Sequence, residues 1–192
     1  MVRNVNQSIS HSMDDRGLDA YFTPWQVLDA IKQYEDLKLP TFEPSCGSGN
    51  LSEYLRSIGT DVYSSDITNY GYKFQNETKD FFEYDNMPYG YEQIITNPPF
   101  YCWSKYAQHA KKLCNKVILL GKLTILESQE RTEVLEDGTF CRLYPFRNRI
   151  PMMHREGWTG NKNSSSIAFC WYVFDKNHDG SNATIQRITC KT

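Results

Sequence analysis

The sequence contains no apolar run approaching the ~20 residues a membrane-crossing helix requires. Its first stretch, MVRNVNQSISHSMDDRG, has no apolar segment of the kind that marks a chain for secretion, so the expected location is cytoplasmic. The six cysteines (Cys46, Cys102, Cys114, Cys141, Cys170 and Cys190) contain no C-x-x-C pair, and no histidine lies at zinc-finger spacing from them. Neither a metal site nor a disulfide framework is therefore expected, and the reading is reduced thiols, several of them buried. There is no internal repeat and no low-complexity block. A net charge of −2 excludes a uniformly basic coat.

What remains is ordinary globular material. With 192 residues, 40% hydrophobic and 23% charged, the chain has room for one α/β domain and not for two of usual size. Residues 1–19 are polar and aperiodic and read as a flexible arm, with 20–192 as a single domain. Thr23-Pro24 is a helix-start signal, followed by Val27, Leu28, Ile31 and Tyr34 on one face. The run Leu39 to Phe42 reads as a strand that opens into a glycine turn. Leu51, Tyr54, Leu55 and Ile58 then recur at helical spacing, and 61–66 forms a second strand. Residues 68–80 have no clear pattern. Gln93 to Thr96 is a short strand stopped by two prolines, 103–114 a helix, and Lys116 to Leu123 a buried strand. The remainder is β-rich, with strands over 142–146, 166–175 and 184–190. This order predicts a mostly parallel sheet with helices on both faces, finished by an antiparallel C-terminal hairpin.

Two motifs carry chemistry. Asn97-Pro98-Pro99-Phe100 directly follows a predicted strand, and ligands of open α/β sheets bind at the carboxyl ends of strands. A lone Pro-Pro would read simply as a rigid turn; its position gives this one a further meaning. An exocyclic amino nitrogen on adenine is a poor nucleophile because its lone pair is delocalised into the ring. The Asn97 oxygen and a backbone carbonyl of the Pro-Pro segment can accept its two N–H bonds and turn that lone pair outward, while Phe100 stacks on the base. The second motif is Glu43-Pro44-Ser45-Cys46-Gly47-Ser48-Gly49-Asn50. Gly47 and Gly49 allow a sharp turn and a close approach to a ligand. The third glycine of the dinucleotide fingerprint is replaced by Ser52, and no Walker lysine follows. Asp66, about 17 residues past Gly49, ends the next strand. It is either a plain surface carboxylate or one that accepts both hydroxyls of a ribose.

Together, E-P-S-C-G-S-G-N, the acidic strand end, N-P-P-F and the preceding Tyr21-Phe22-Thr23-Pro24 closely resemble the S-adenosylmethionine-dependent amino-methyltransferases of the adenine-N6 type, including small stand-alone members from bacteria and phages. The resemblance covers 21–120 firmly and the strand at 166–175 more loosely. It implies a Rossmann-like methyltransferase sheet, S-adenosylmethionine as cofactor, and nucleic acid as substrate, DNA favoured over RNA. It further implies that Tyr21, Thr23 and Pro24 border the cofactor's methionine, and that Glu43, Pro44, Cys46, Gly47 and Gly49 line the loop beside it. Asp66 and Ile67 would hold the ribose end, Asp80 (with Asp85 as competitor) the adenine amino group, and Phe81 would pack beside the ring. Asn97, Pro98, Pro99 and Phe100 would hold the target base, with Asn97 also touching the cofactor.

A basic, aromatic-interleaved segment follows, with Arg142, Arg147, Arg149, Arg155 and Lys162 against only Glu156. It reads as a surface for the phosphate backbone or as an ordinary charged loop. His154 within it reads as incidental rather than as a base, and GNKNSSS beside it as a mobile loop. Too few residues remain for a sequence-reading domain, so recognition would come from short loops such as 124–163 or from a partner subunit. Two other readings stay open. One is a protein methyltransferase acting on a glutamine side-chain amide; the other is a non-catalytic cofactor-binding subunit.

Overall fold

The structure, a computed structural model, describes residues 23–150 and 167–191. The expectations for the arm 1–19, Tyr21, His154, Arg155, Lys162 and the GNKNSSS stretch lie outside the described residues. The strands are β1 (Thr41–Glu43), β2 (Val62–Asp66), β3 (Glu77–Thr78), β4 (Gln93–Thr96), β5 (Lys116–Lys122), β6 (Phe140–Pro145), β7 (Phe169–Asp175) and β8 (Thr184–Ile185). The α-helices are α1 (Gln26–Asp29), α2 (Asn50–Ser57), α3 (Trp103–Leu113) and α4 (Thr132–Leu135).

All eight strands form one sheet in the order β3-β2-β1-β4-β5-β7-β6-β8. Strands β1 to β5 are parallel, whereas β7 runs antiparallel to both its neighbours, β5 and β6. The chain winds outward from β1 in one direction and from β4 in the other. Neighbouring β1 and β4 therefore mark the switch point at which their carboxyl-end loops part and leave a crevice.

Alternation along the strands sorts side chains onto the two faces. Ile95, Ile118, Leu120, Trp171 and Val173 pack with Val27, Leu28, Ile31, Leu51 and Leu55 from α1, the turn after it and α2. Ile94, Val117, Leu119, Cys170, Tyr172 and Phe174 pack with Trp103, Tyr106, Ala107 and Ala110 of α3 and Val134 of α4. Helices thus cover both faces, and the antiparallel hairpin β6–β7 closes the C-terminal half.

Several details differ from the sequence reading. The regular helix after Thr23-Pro24 is one turn, begun by Val27 N–H to the Pro24 carbonyl at 3.1 Å, and it continues as turns to Glu35. Tyr34, expected on the buried face, is exposed, and its ring stacks on Tyr144 at 5.6 Å. The first strand starts at Thr41 instead of Leu39, and the sixth begins at Phe140, ahead of Arg142. The patternless stretch 68–80 contributes β3, and the last strand shrinks to Thr184–Ile185 plus a single bridge between Phe146 and Ile188.

Candidate active site

The two motifs meet at the switch point. The glycine loop leaves the end of β1, and its backbone is tied to the end of β2: Cys46 N–H donates to the Ser65 carbonyl at 2.9 Å, and Gly47 N–H to Asp66 Oδ2 at 2.8 Å. Gly47 and Gly49 have φ of 53° and 87°, the left-handed region that penalises a side chain. Nothing lies within 4 Å of where a Cβ on Gly47 would point, so the loop keeps open space there. The space at Gly49 is filled instead by the ring of Tyr72.

Asp66 is 7% exposed, with Thr68 N–H on its other oxygen at 3.1 Å. Burial raises its pKa, and the N–H bonds from Gly47, Thr68 and Ile67 oppose the rise. Ile67, the next residue, is 55% exposed, an apolar surface beside a carboxylate in a cleft. That pairing, with the open space at Gly47, fits a nucleoside whose ring needs an apolar face and whose hydroxyls need an acceptor.

Glu43 was expected to line the loop. Instead it is 1% exposed and lies beneath the loop, its carboxylate accepting from Ser52 Oγ, which in turn meets Ser64 Oγ at 2.6 Å. Burial and the nearby Asp66 charge push it up to about 8. Pro44 and Cys46 are buried in the turn, and burial raises the Cys46 thiol well above its ordinary value.

Phe81 also departs from expectation. Its ring stacks on Tyr106 of α3 at 4.1 Å and meets Phe42 and His109, so it is core rather than a wall of the cleft. Asp80 lies just past β3 at the cleft end, half-buried, and caps the short 3-10 helix Phe81–Glu83 by accepting from Phe82 N–H at 2.9 Å. Asp85 is exposed.

At the end of β4, Asn97 and Pro99 are half-buried and Pro98 is buried. The Pro99 carbonyl accepts from Cys102 N–H at 3.3 Å as the chain enters the 3-10 turn Phe100–Cys102 that leads into α3. Asn97 Nδ2 donates to Thr23 Oγ1 at 2.8 Å, while Asn97 Oδ1 is buried without a hydrogen-bond partner among the described residues. An amide oxygen in that state is an acceptor held ready, because leaving it unmet costs roughly 1–3 kcal/mol. The Thr23 carbonyl accepts from Asn50 Nδ2 at 3.2 Å, so Thr23 bridges the glycine-loop helix and the Asn97 turn, with Pro24 half-buried beside it. Phe100 is half-buried, its ring tilted against Phe169 at 5.6 Å, with Lys122 Nζ 5.0 Å from its centroid.

The sequence reading gave no role to Asn50, Tyr72 or Lys122. Asn50 stood in the quoted loop motif, and Lys122 ends a strand, the position where site residues concentrate. Tyr72 had no signal, since it acts through a contact made only on folding.

The basic segment divides. Arg142 lies toward the opposite end of the sheet, paired in register with Val173, and its guanidinium grips Glu35, with Nη2 at 3.1 Å from Oε2. Tyr144 Oη and Lys116 Nζ complete the cluster at 2.8 and 3.1 Å. Burial works to raise Glu35, but the bonds from Arg142 and Tyr144 and the Lys116 charge overcome it and hold the carboxyl low. Arg142 is thus committed to a buried carboxylate and is not part of a phosphate surface. Arg147 and Arg149 are exposed beyond the carboxyl end of β6, on the cleft side. Among the described residues no group of three or more His, Cys, Asp or Glu is placed to hold a metal, and no helix is long and apolar enough to cross a membrane.

No protein-family model matches the sequence, and no curated protein matches it. Similarity appears at the level of structure. A proposed RNA methyltransferase from Pyrococcus horikoshii superposes with a TM-score of 0.59 at 17% identity, covering 83% of this chain and 87% of the other. The methyltransferase subunit of a type I restriction-modification system from Streptococcus thermophilus gives 0.60 at 14% identity, over 88% of this chain and 47% of that subunit. A ribosomal protein L11 methylase from Lactobacillus delbrueckii subsp. bulgaricus gives 0.53 at 14% identity, over 83% of each chain. The fold of this chain is the Rossmann-like α/β fold of these methyltransferases.

Proposed function

We propose that this protein transfers the methyl group of S-adenosylmethionine to the exocyclic N6 of adenine in nucleic acid, DNA in preference to RNA. The observation that carries the reading is the Asn97 amide oxygen, buried and unmatched at the end of β4, across the switch point from the glycine loop.

In this reading the space at Gly47, the Asp66 carboxylate, Ile67 and Asp80 hold the cofactor, which supplies an electrophilic sulfonium methyl. Asn97 Oδ1 accepts one N–H of the target amino group. Because the Pro99 carbonyl is taken by Cys102, the Pro98 carbonyl is the second acceptor. With both N–H bonds held, the lone pair leaves ring conjugation and points at the methyl carbon. As the C–N bond forms and the S–C bond breaks, the nitrogen becomes cationic, and both hydrogen bonds strengthen at that moment. The product cation is a strong acid and loses its proton to water. Phe100 offers its ring to the base, and the Lys122 ammonium beside it together with Arg147 and Arg149 supplies positive charge for phosphates.

The test is transfer of labelled methyl to DNA, RNA and protein pools, followed by digestion of the product. N6-methyldeoxyadenosine is the expected species, and Asn97→Ala should abolish it while leaving cofactor binding largely intact. Label on a protein glutamine amide, cofactor binding with no transfer at all, or near-normal turnover by Asn97→Ala would each overturn the proposal.

A further inference from the structure

We infer that Thr23 is a positioning residue for Asn97, setting the plane of the amide that grips the target amino group; this rests on the function proposed above. An asparagine side chain turns about a soft, roughly two-fold torsion, so its amide plane is undefined unless something fixes it. Among the described residues, the one hydrogen bond of the Asn97 side chain is Nδ2 to Thr23 Oγ1, 2.8 Å long. Thr23 can serve as a fixed point: it is buried, its β-branched side chain is stiff at χ1, and its carbonyl is tied to Asn50 Nδ2 at 3.2 Å.

The geometry divides the labour. With Nδ2 anchored on the hydroxyl, Oδ1 points away from Thr23, and that oxygen is buried and unmatched. A threonine hydroxyl can donate as well as accept, so the bond fixes the plane of the amide and not by itself which end faces outward. An incoming amino group decides the second question. Two N–H donors facing each other repel, so the substrate selects the orientation that presents Oδ1. Thr23 would therefore act on the chemical step through Asn97 without touching the reacting atoms.

The experiment compares Thr23→Val, which keeps the shape and removes the hydroxyl, with Thr23→Ser, which keeps the hydroxyl. Misplacing a reacting group by about an ångström costs up to about a hundredfold. Thr23→Val should lower kcat by about ten- to a hundredfold at saturating donor, and Thr23→Ser should restore most of the rate. A second readout needs no turnover: in amide NMR, the Asn97 side-chain NH2 protons should exchange slowly with water in the native protein and in Thr23→Ser, and rapidly in Thr23→Val. If the chain methylates nothing but the amide protons follow this pattern, the function fails and the positioning contact stands. Unchanged kcat in Thr23→Val, a loss confined to donor affinity, or amide protons indifferent to the substitution would overturn the inference.

Discussion

The ring of Tyr72 rests against Gly49, so that a Cβ added at residue 49 would lie 2.3 Å from its Cδ2. Gly49 is thus required twice, once by its φ of 87° and once by its neighbour. Gly49→Ala should cost about 1–2 kcal/mol in backbone strain and displace Tyr72 as well. We expect a melting temperature several degrees lower and donor affinity reduced at least tenfold. Gly47→Ala, strained but unobstructed, should destabilise less. Calorimetric binding and thermal melts check the pair, and a Gly49→Ala protein that binds the donor as the native one does would refute the account.

The arginines beyond and within β6 should separate cleanly. Removing Arg142 strands the buried Glu35 with Lys116 and Tyr144 alone. Breaking a fully buried pair costs about 3–5 kcal/mol. A third of the Arg142 side chain is in water (33% exposed), so about 2 kcal/mol is expected for Arg142→Met by denaturant melts, with nucleic-acid affinity unchanged. Arg147→Ala and Arg149→Ala should leave the melts alone and each lower the log–log salt slope of DNA binding by about 0.9. A salt-slope change in Arg142→Met would contradict this division.

Stability should fall as the solution becomes alkaline. Glu43 titrates at about 8 in the fold against an ordinary 4.5, so the folded state holds the proton more tightly. Its contribution is complete below about pH 4.5 and is lost as pH rises through about 8, with a slope of up to about 1.4 kcal/mol per pH unit between. Asp66, also raised, acts in the same direction. Glu43→Gln, a neutral mimic of the protonated acid, should flatten this profile and outlast the native protein at pH 9. Parallel profiles for the two proteins would show that Glu43 is ionised in the fold.

Gly121 sits one residue before the end of β5, where a Cβ would come within 2.6 Å of Ile125 and 2.9 Å of Trp103 Nε1, the indole that donates to the Leu120 carbonyl. Gly121→Ala should therefore destabilise by about 1–3 kcal/mol, measured in urea, through overpacking in a place where the backbone itself is unstrained. A neutral or stabilising substitution would mean that Ile125 and Trp103 have room to yield.

Local rules made much of this molecule legible. The β1–α2–β2 and β4–α3–β5 units follow from periodicity, and the glycine and Asn-Pro-Pro turns announce themselves by residue types that few other conformations tolerate. What the sequence concealed depends on partners far away along the chain. Arg142 reads as one more surface cation until the fold brings Glu35, 107 positions distant, beneath it. Phe81 and Phe82 are indistinguishable in a string; the packing of α3 decides that Phe81 enters the core. Tyr72, in a stretch with no periodicity, gains its place only because Gly49 leaves a hollow for its ring.

Strand β7 enters the sheet between β5 and β6, so the chain leaves β6 at Pro145 and returns at Phe169 on the same rim, beside Phe100. The two feet of that excursion are tied to each other, Phe146 N–H donating to the Phe169 carbonyl at 3.2 Å, next to the turn that carries Asn97. The excursion's first residues are anchored, with Ile150 in the core and Asn148 Nδ2 donating to the Cys190 carbonyl at 2.7 Å. Under the proposed function, a change in the residues that join these feet would alter which nucleic acid is held, while Asn97 keeps its place at the end of β4.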